Sequence, residues 1–222
     1  MGSVFYKAQV SVITIIVIAG IGTALAATAY MWGMPLIEKR ATVTDYSASV
    51  EFLDRLESKI VSVANSLYGE ESIDIPNGLI TVVPYDAGTE ENPNPDNNSI
   101  ILEFNEPQPM MLNGEIYLDT EFLGDVAAYG QAEPRVITLS VERLETRINK
   151  FTFRMRFREL DTETVPKKGY QIMLTTPTGL IMTGINKLSI SFDSRTPNPE
   201  VLPHEAANGG DLVATYLKVH PQ

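Results

Sequence analysis

Hydrophobic and polar positions give the chain three successive textures. From Ala8 to Ile37 there is no Asp, Glu, Lys, Arg or His, a run of thirty residues bounded by Lys7 and by Glu38-Lys39-Arg40. A helix of about 20 apolar residues crosses a bilayer, so this run is long enough to span one. Its first half, Val10 to Ile18, is dominated by β-branched residues, which favour strand in water. In lipid a single segment satisfies its backbone only as a helix. Proline removes a backbone donor and crowds the preceding turn, so Trp32-Gly33-Met34-Pro35 predicts a kink or a short melted stretch near Pro35. Tyr30 and Trp32 stand where interfacial aromatics are found, just before the first charges.

The second texture is amphipathic. Val43, Tyr46, Val50, Leu53, Leu56, Ile60, Val63 and Leu67 recur at spacings of three and four, which predicts one apolar stripe on a helix. Asp45, Glu51, Asp54, Arg55, Glu57 and Lys59 fill the other faces, as on a helix packed against a domain. Gly69 is placed to end it in the left-handed conformation. A nearly continuous helix over residues 9–69, apolar in 9–37 and amphipathic in 38–69, would reach about 90 Å at 1.5 Å per residue.

From Gly78 the pattern changes to short alternating or β-branched runs between turn residues. Strands are predicted at Leu79-Pro84, Ser99-Phe104, Glu115-Leu118, Arg135-Glu142, Lys150-Leu160, Tyr170-Thr175, Leu180-Met182, Lys187-Phe192 and Leu212-Val219. With no helical run of comparable strength, residues 70–222 read as an antiparallel β-sandwich head, immunoglobulin-like in kind, and the whole chain as α+β. In Phe151 to Arg158 one face is apolar and the other carries three arginines, which predicts pairing with acidic neighbours across strands or subunits. Thr176-Pro177-Thr178-Gly179 predicts a hairpin connection between the Tyr170 and Leu180 strands. The polar loop from Asp86 to Asn98 predicts an exposed segment.

Charge narrows the function. Residues 38–222 hold 16 basic against 28 acidic residues, a net of −12. Such a surface repels phosphate backbones, so no nucleic-acid partner is expected. There is no cysteine, which removes disulfides, thiolate chemistry and thiolate metal sites. A secretory signal has an apolar stretch of roughly 7–15 residues, about half of what stands here, so ordinary cleavage after the run is not expected.

The apolar run is rich in small residues. Gly20 with Ala24, and Gly22 with Ala26, lie four apart on shared helix faces. Small residues at that spacing let helix backbones approach closely, which is how helices associate where lipid removes the hydrophobic drive.

Signals for catalysis are weak. His204 and His220 each adjoin a proline and neither has a second histidine near it in sequence; Glu200 precedes His204 by four, but Pro203 intervenes. No nucleophile elbow, phosphate loop or zinc motif is present, and Gly20-Ile21-Gly22 lacks the third glycine of a dinucleotide fingerprint. Carboxylates cluster at Glu70-Glu71, at Glu90-Glu91 with Asp96, and at Asp161 with Glu163, without the spacing of a calcium loop, and read as solvated surface. No catalysis, metal or cofactor is therefore expected. Asn97-Asn98-Ser99 is the only N-glycan acceptor pattern, with Asn97 as the possible glycosylation site.

The leading residues Met1 to Tyr6, then Lys7-Ala8-Gln9-Val10-Ser11 and the long apolar helix, resemble archaeal type IV pilins. Lys7, Ala8 and Gln9 match the family's processing signal, which implies a leader of residues 1–8 cut between Ala8 and Gln9, before the apolar run. Ile13 stands where many bacterial pilins carry an acidic residue, so the bacterial version is disfavoured. The resemblance implies identical subunits in a helical filament at the cell surface, a membrane-inserted precursor, a prepilin peptidase and pilus assembly machinery as partners, and a role in adhesion. The rival expectation is a single-pass membrane-anchored surface receptor or adhesin that does not polymerise.

Overall fold

Apolar residues at helical spacing form one long helix, α1 (Gly2–Ser66), followed by twelve strands in this computed structural model. It describes residues 2–76, 78–86, 96–107, 114–118, 126–145, 148–162, 167–176, 180–183, 187–196 and 211–222, with backbone alone for 2–13, 38–39, 42, 107 and 180–183. The chain divides into two units, Met1–Asp45 and Tyr46–Gln222.

The first unit is helix. The helical assignment runs through Gly33 and Pro35 without a break, so the short melted stretch does not form. One proline deletes a single intrahelical bond, and the flanking turns keep theirs. Thr23 Oγ1 donates to the Ala19 carbonyl and Thr28 Oγ1 to the Ala24 carbonyl, both at 2.8 Å. These hydroxyls turn back onto their own helix, so their polarity is satisfied internally.

The second unit combines the end of α1 with the strands. Phe52, Leu53, Leu56, Ile60, Val63 and Ala64 are buried, with Tyr46 and Val50 packed at the margin of the same core. Phe52, at 1% exposure, was not part of the predicted stripe. It repeats with Leu56, Ile60 and Ala64 every four residues, a second ridge beside the first. Val43 is 56% exposed and Leu67 37%, so the buried stripe is shorter at both ends than expected. The helix stops at Ser66 because Leu67 takes a left-handed φ of 60°, its amide still donating to the Val63 carbonyl at 3.1 Å. Gly69 is also left-handed, at φ 93°.

The strands are β1 (Glu70–Asp74), β2 (Leu79–Val83), β3 (Ser99–Pro107), β4 (Gly114–Leu118), β5 (Val126–Ala128), β6 (Arg135–Glu145), β7 (Ile148–Phe157), β8 (Glu159–Asp161), β9 (Lys168–Thr175), β10 (Leu180–Thr183), β11 (Lys187–Arg195) and β12 (Asp211–Pro221). They form two six-stranded sheets, ordered β1-β11-β12-β9-β8-β5 and β10-β2-β3-β7-β6-β4. The architecture is thus an N-terminal helix followed by two β-sheets.

Alternation explains the inner faces. Along β7, Phe151, Phe153, Met155 and Phe157 are buried while the residues between them are half-buried. Ile100 and Leu102 of β3, Ile137 and Leu139 of β6, Leu188 and Ile190 of β11, and Leu217 and Val219 of β12 join them and the helix residues in one cluster. Burying each such side chain is worth about 1.5–3 kcal/mol.

Two topological expectations are corrected. The second sheet is antiparallel, but the first is mixed: β12 pairs β9 in parallel and β5 pairs β8 in parallel. Strand β11 lies between β12 and the edge strand β1, so β12 runs alongside β9 in the same direction. The hairpin expected at Thr176 to Gly179 does not form either. β9 belongs to the first sheet, whereas β10 pairs β2 in the second; residues 177–179 lie outside the described ones. The predicted Lys150-Leu160 strand also divides, because the chain leaves β7 at Phe157 and enters the other sheet as β8.

Candidate functional site

The clearest candidate is the apolar part of α1. Residues Thr14–Ile37 form a 24-residue stretch of mean hydropathy 1.8, none of it buried within the chain. Ile15, Ile16, Ile18, Leu25, Trp32 and Ile37 are each more than half exposed. By length and composition the stretch can cross a membrane.

Gly20, Gly22, Ala24 and Ala26 lie within it, all exposed. A Cβ added at Gly20 or Gly22 would meet nothing within 4 Å, so no close approach inside the chain requires a glycine at either position. Lys7, Ala8 and Gln9 fall in the helical backbone, and their side chains lie outside the described residues.

In the head, charges are paired across elements. Arg135 is 3% exposed at the start of β6; its Nε donates to Glu57, and its Nη atoms reach Asp54 and Glu133, each at 3.3 Å. Burial raises the Glu57 carboxyl above its usual value, only partly offset by the Arg135 guanidinium. The arginine face of β7 behaves as expected at Arg154, whose Nε lies 2.7 Å from Asp96 and Nη1 3.6 Å from Glu115. Arg158 departs from it. Past the end of β7 the alternation stops, and Arg158 is buried with Nε donating to the Glu133 carbonyl at 3.0 Å.

The glycan-acceptor triplet is tightly engaged. Asn97 Oδ1 accepts from the Asp86 amide and Asn97 Nδ2 donates to the Asp86 carbonyl, both at 2.7 Å. Asn98, which the sequence had not singled out, is 2% exposed at φ 56°. Its Nδ2 donates to the carbonyls of Phe157, at 3.2 Å, and Ile172, at 2.7 Å, and its Oδ1 accepts from the Leu174 amide at 2.8 Å. Ser99 Oγ donates to the Asp96 carbonyl. The signal for Asn98 was available: asparagine tolerates the left-handed region better than other side-chain-bearing residues, and it directly precedes a strand.

Among the described residues no group of three or more His, Asp or Glu could hold a metal ion. Glu71 pairs with Lys59 at 2.8 Å. Glu70 accepts from Ser189 Oγ and lies 3.7 Å from His220 Nε2. The Ser189 hydroxyl thus bonds the carboxylate and not the imidazole of His220, its partner across β11 and β12, which is not the order a nucleophile–base pair needs. Glu90, Glu91, Glu163, Glu200 and His204 lie outside the described residues. Scanned against protein-family models, curated proteins and solved structures, the chain finds no match.

Proposed function

We propose that the chain is a structural subunit of an extracellular type IV pilus-like filament, polymerising through its apolar N-terminal helix, with the β-rich head as the outer surface and adhesion as its role. The observation that carries this reading is Thr14–Ile37, an apolar stretch none of whose residues is buried within the chain. Something else must cover it: lipid in the membrane-inserted precursor, then the same stretch of neighbouring copies in the filament. The paired small residues Gly20 with Ala24 and Gly22 with Ala26 suit that second environment.

In this reading Lys7, Ala8 and Gln9 are the processing signal for a prepilin peptidase, and the pilus assembly machinery extracts the cleaved subunit from the membrane. A bend at Pro35 separates the buried stretch from the head. The two sheets close as an immunoglobulin-like β-sandwich whose core includes Phe52, Leu56 and Ile60 of the helix. The protein is not an enzyme and needs no cofactor. Asn97 is the residue that would carry a surface glycan.

Negative-stain microscopy of material sheared from cells producing the chain tests the reading. Filaments of uniform width that contain the chain support it. Recovery only as detergent-soluble single copies favours the membrane-anchored receptor or adhesin instead.

A further inference from the structure

A cleft of about 350 Å³ opens in the head between the end of α1 and the first sheet. Asn65 of the helix, Tyr129 after β5, Tyr170 and Gln171 of β9, Arg195 of β11 and Thr215 of β12 give it its polar groups, and Leu160, Ile172 and Val213 are among its apolar lining. The Tyr129 and Tyr170 rings meet at 4.8 Å and 36°, and Tyr129 is 55% exposed.

Two features separate this cleft from ordinary surface. Among the described residues, the side chains of Asn65, Tyr129, Tyr170, Gln171 and Arg195 make no hydrogen bond or ion pair, while Arg135 and Arg154 are held by carboxylates. Among the described residues of the lining Arg195 is also the one that is charged, on a protein whose net charge is −11. Among the described residues no carboxylate pairs with Arg195, and a cation so placed, within a field that otherwise repels anions, marks a place where one anionic group is accepted. Aromatic faces next to idle amides and hydroxyls suit a ligand with an apolar face and several hydroxyls.

We propose that this cleft binds one hexuronate unit, a sugar whose ring lies against Tyr129, whose hydroxyls meet Gln171 and Asn65, and whose carboxylate pairs with Arg195. The volume is at the small end of ligand clefts, which run about 300–1,000 Å³. For a ligand of about a dozen heavy atoms, affinity of about 1 mM is expected. The site gives the adhesion role above a ligand class and rests on that reading for its purpose only; binding belongs to the head and is measured without any filament.

The full chain in detergent micelles is titrated with D-glucuronate, D-glucose and methyl β-D-glucuronide by saturation-transfer NMR. Glucuronate is expected to bind at least about tenfold more tightly than glucose, since one charge-assisted contact is worth about that factor or more. Arg195→Gln is expected to bring glucuronate down to the level of glucose, and Tyr129→Ala to weaken both sugars. Both residues are exposed, and an unchanged Tm verifies folding. No saturation transfer from glucuronate, or equal glucuronate binding by Arg195→Gln, overturns the proposal. Methyl glucuronide binding as well as the free sugar assigns the site to glycan ends, and its exclusion assigns it to the monosaccharide with a free anomeric hydroxyl; either result keeps the site. A failure here leaves filament formation untouched, and absence of filaments leaves this binding measurable.

Discussion

Asn98 Nδ2 donates to the Ile172 carbonyl at 2.7 Å, joining the turn before β3 in one sheet to β9 in the other. The same side chain accepts from the Leu174 amide and donates to the Phe157 carbonyl, so a single buried amide bonds both sheets. No apolar residue could replace it, since the backbone groups it serves would be left without partners in a dry interior.

Asn98→Ala is therefore expected to destabilise the folded chain by about 2–4 kcal/mol, from orphaned buried groups and a left-handed φ that alanine resists. Asn98→Gly relieves the backbone part and should recover about 1 kcal/mol of that loss. Urea denaturation followed by tryptophan-independent far-ultraviolet dichroism measures both. Equal stability of the alanine variant and the parent would contradict the clamp.

Arg135 is expected to be intolerant of removal. Arg135→Met leaves Glu57 half-buried without its main cation, and breaking a buried pair from one side costs about 3–5 kcal/mol. The check is a fall in Tm that Glu57→Gln combined with Arg135→Met partly restores.

The same pair predicts a pH effect. Because burial raises the Glu57 carboxyl in the folded state, the folded protein binds its proton more tightly than the unfolded chain. This group's contribution to stability thus falls as pH rises from the ordinary value of 4.5 through the raised one, and is level beyond it. Asp54 and Glu133 face the same guanidinium, so the Glu57 share is isolated by subtracting the pH profile of Glu57→Gln. The difference between parent and variant should shrink or reverse as pH rises; a difference that grows in the parent's favour would count against it.

Gly78 sits at φ 147°, and a Cβ there would come to 2.8 Å from the Glu103 carbonyl oxygen. Gly78→Ala should cost about 1–3 kcal/mol, from backbone strain and a neighbour that cannot swing away. Gly20→Leu and Gly22→Leu make the contrast. A Cβ at either position meets nothing within 4 Å, and both lie outside the head, so head stability should be unchanged while filament yield falls. Filaments at parental yield would show that these glycines are not where helices meet.

The parts legible in the sequence were those with local periodicity. The uncharged run, the helical stripe around Leu53, Leu56 and Ile60, and the alternation of Phe151 to Phe157 each announce their element, because one face or a whole segment is apolar. Strand β1 was missed because Glu70-Glu71-Ser72-Ile73-Asp74 carries one buried apolar residue, enough for an edge strand paired on one side by β11. Strand β5 has three residues, too few to show a period. Sheet membership was invisible: nothing local tells β10 to leave β9 for β2, or β12 to join β9 in parallel. The pattern of Gly20, Gly22, Ala24 and Ala26, on which the proposed helix packing rests, was legible because small residues four apart share a face in any helix. The cleft was not, because Asn65, Tyr129, Tyr170 and Arg195 come together only where the end of α1 meets the strand order of the first sheet.

The most direct test of the filament account is the N-terminal residue of the protein recovered from the cell surface, read by mass spectrometry on sheared material. The account predicts a chain beginning at Gln9, cut after Ala8, with the apolar run retained. A chain that keeps Met1 to Ala8 and is found only in detergent-solubilised membranes would contradict it.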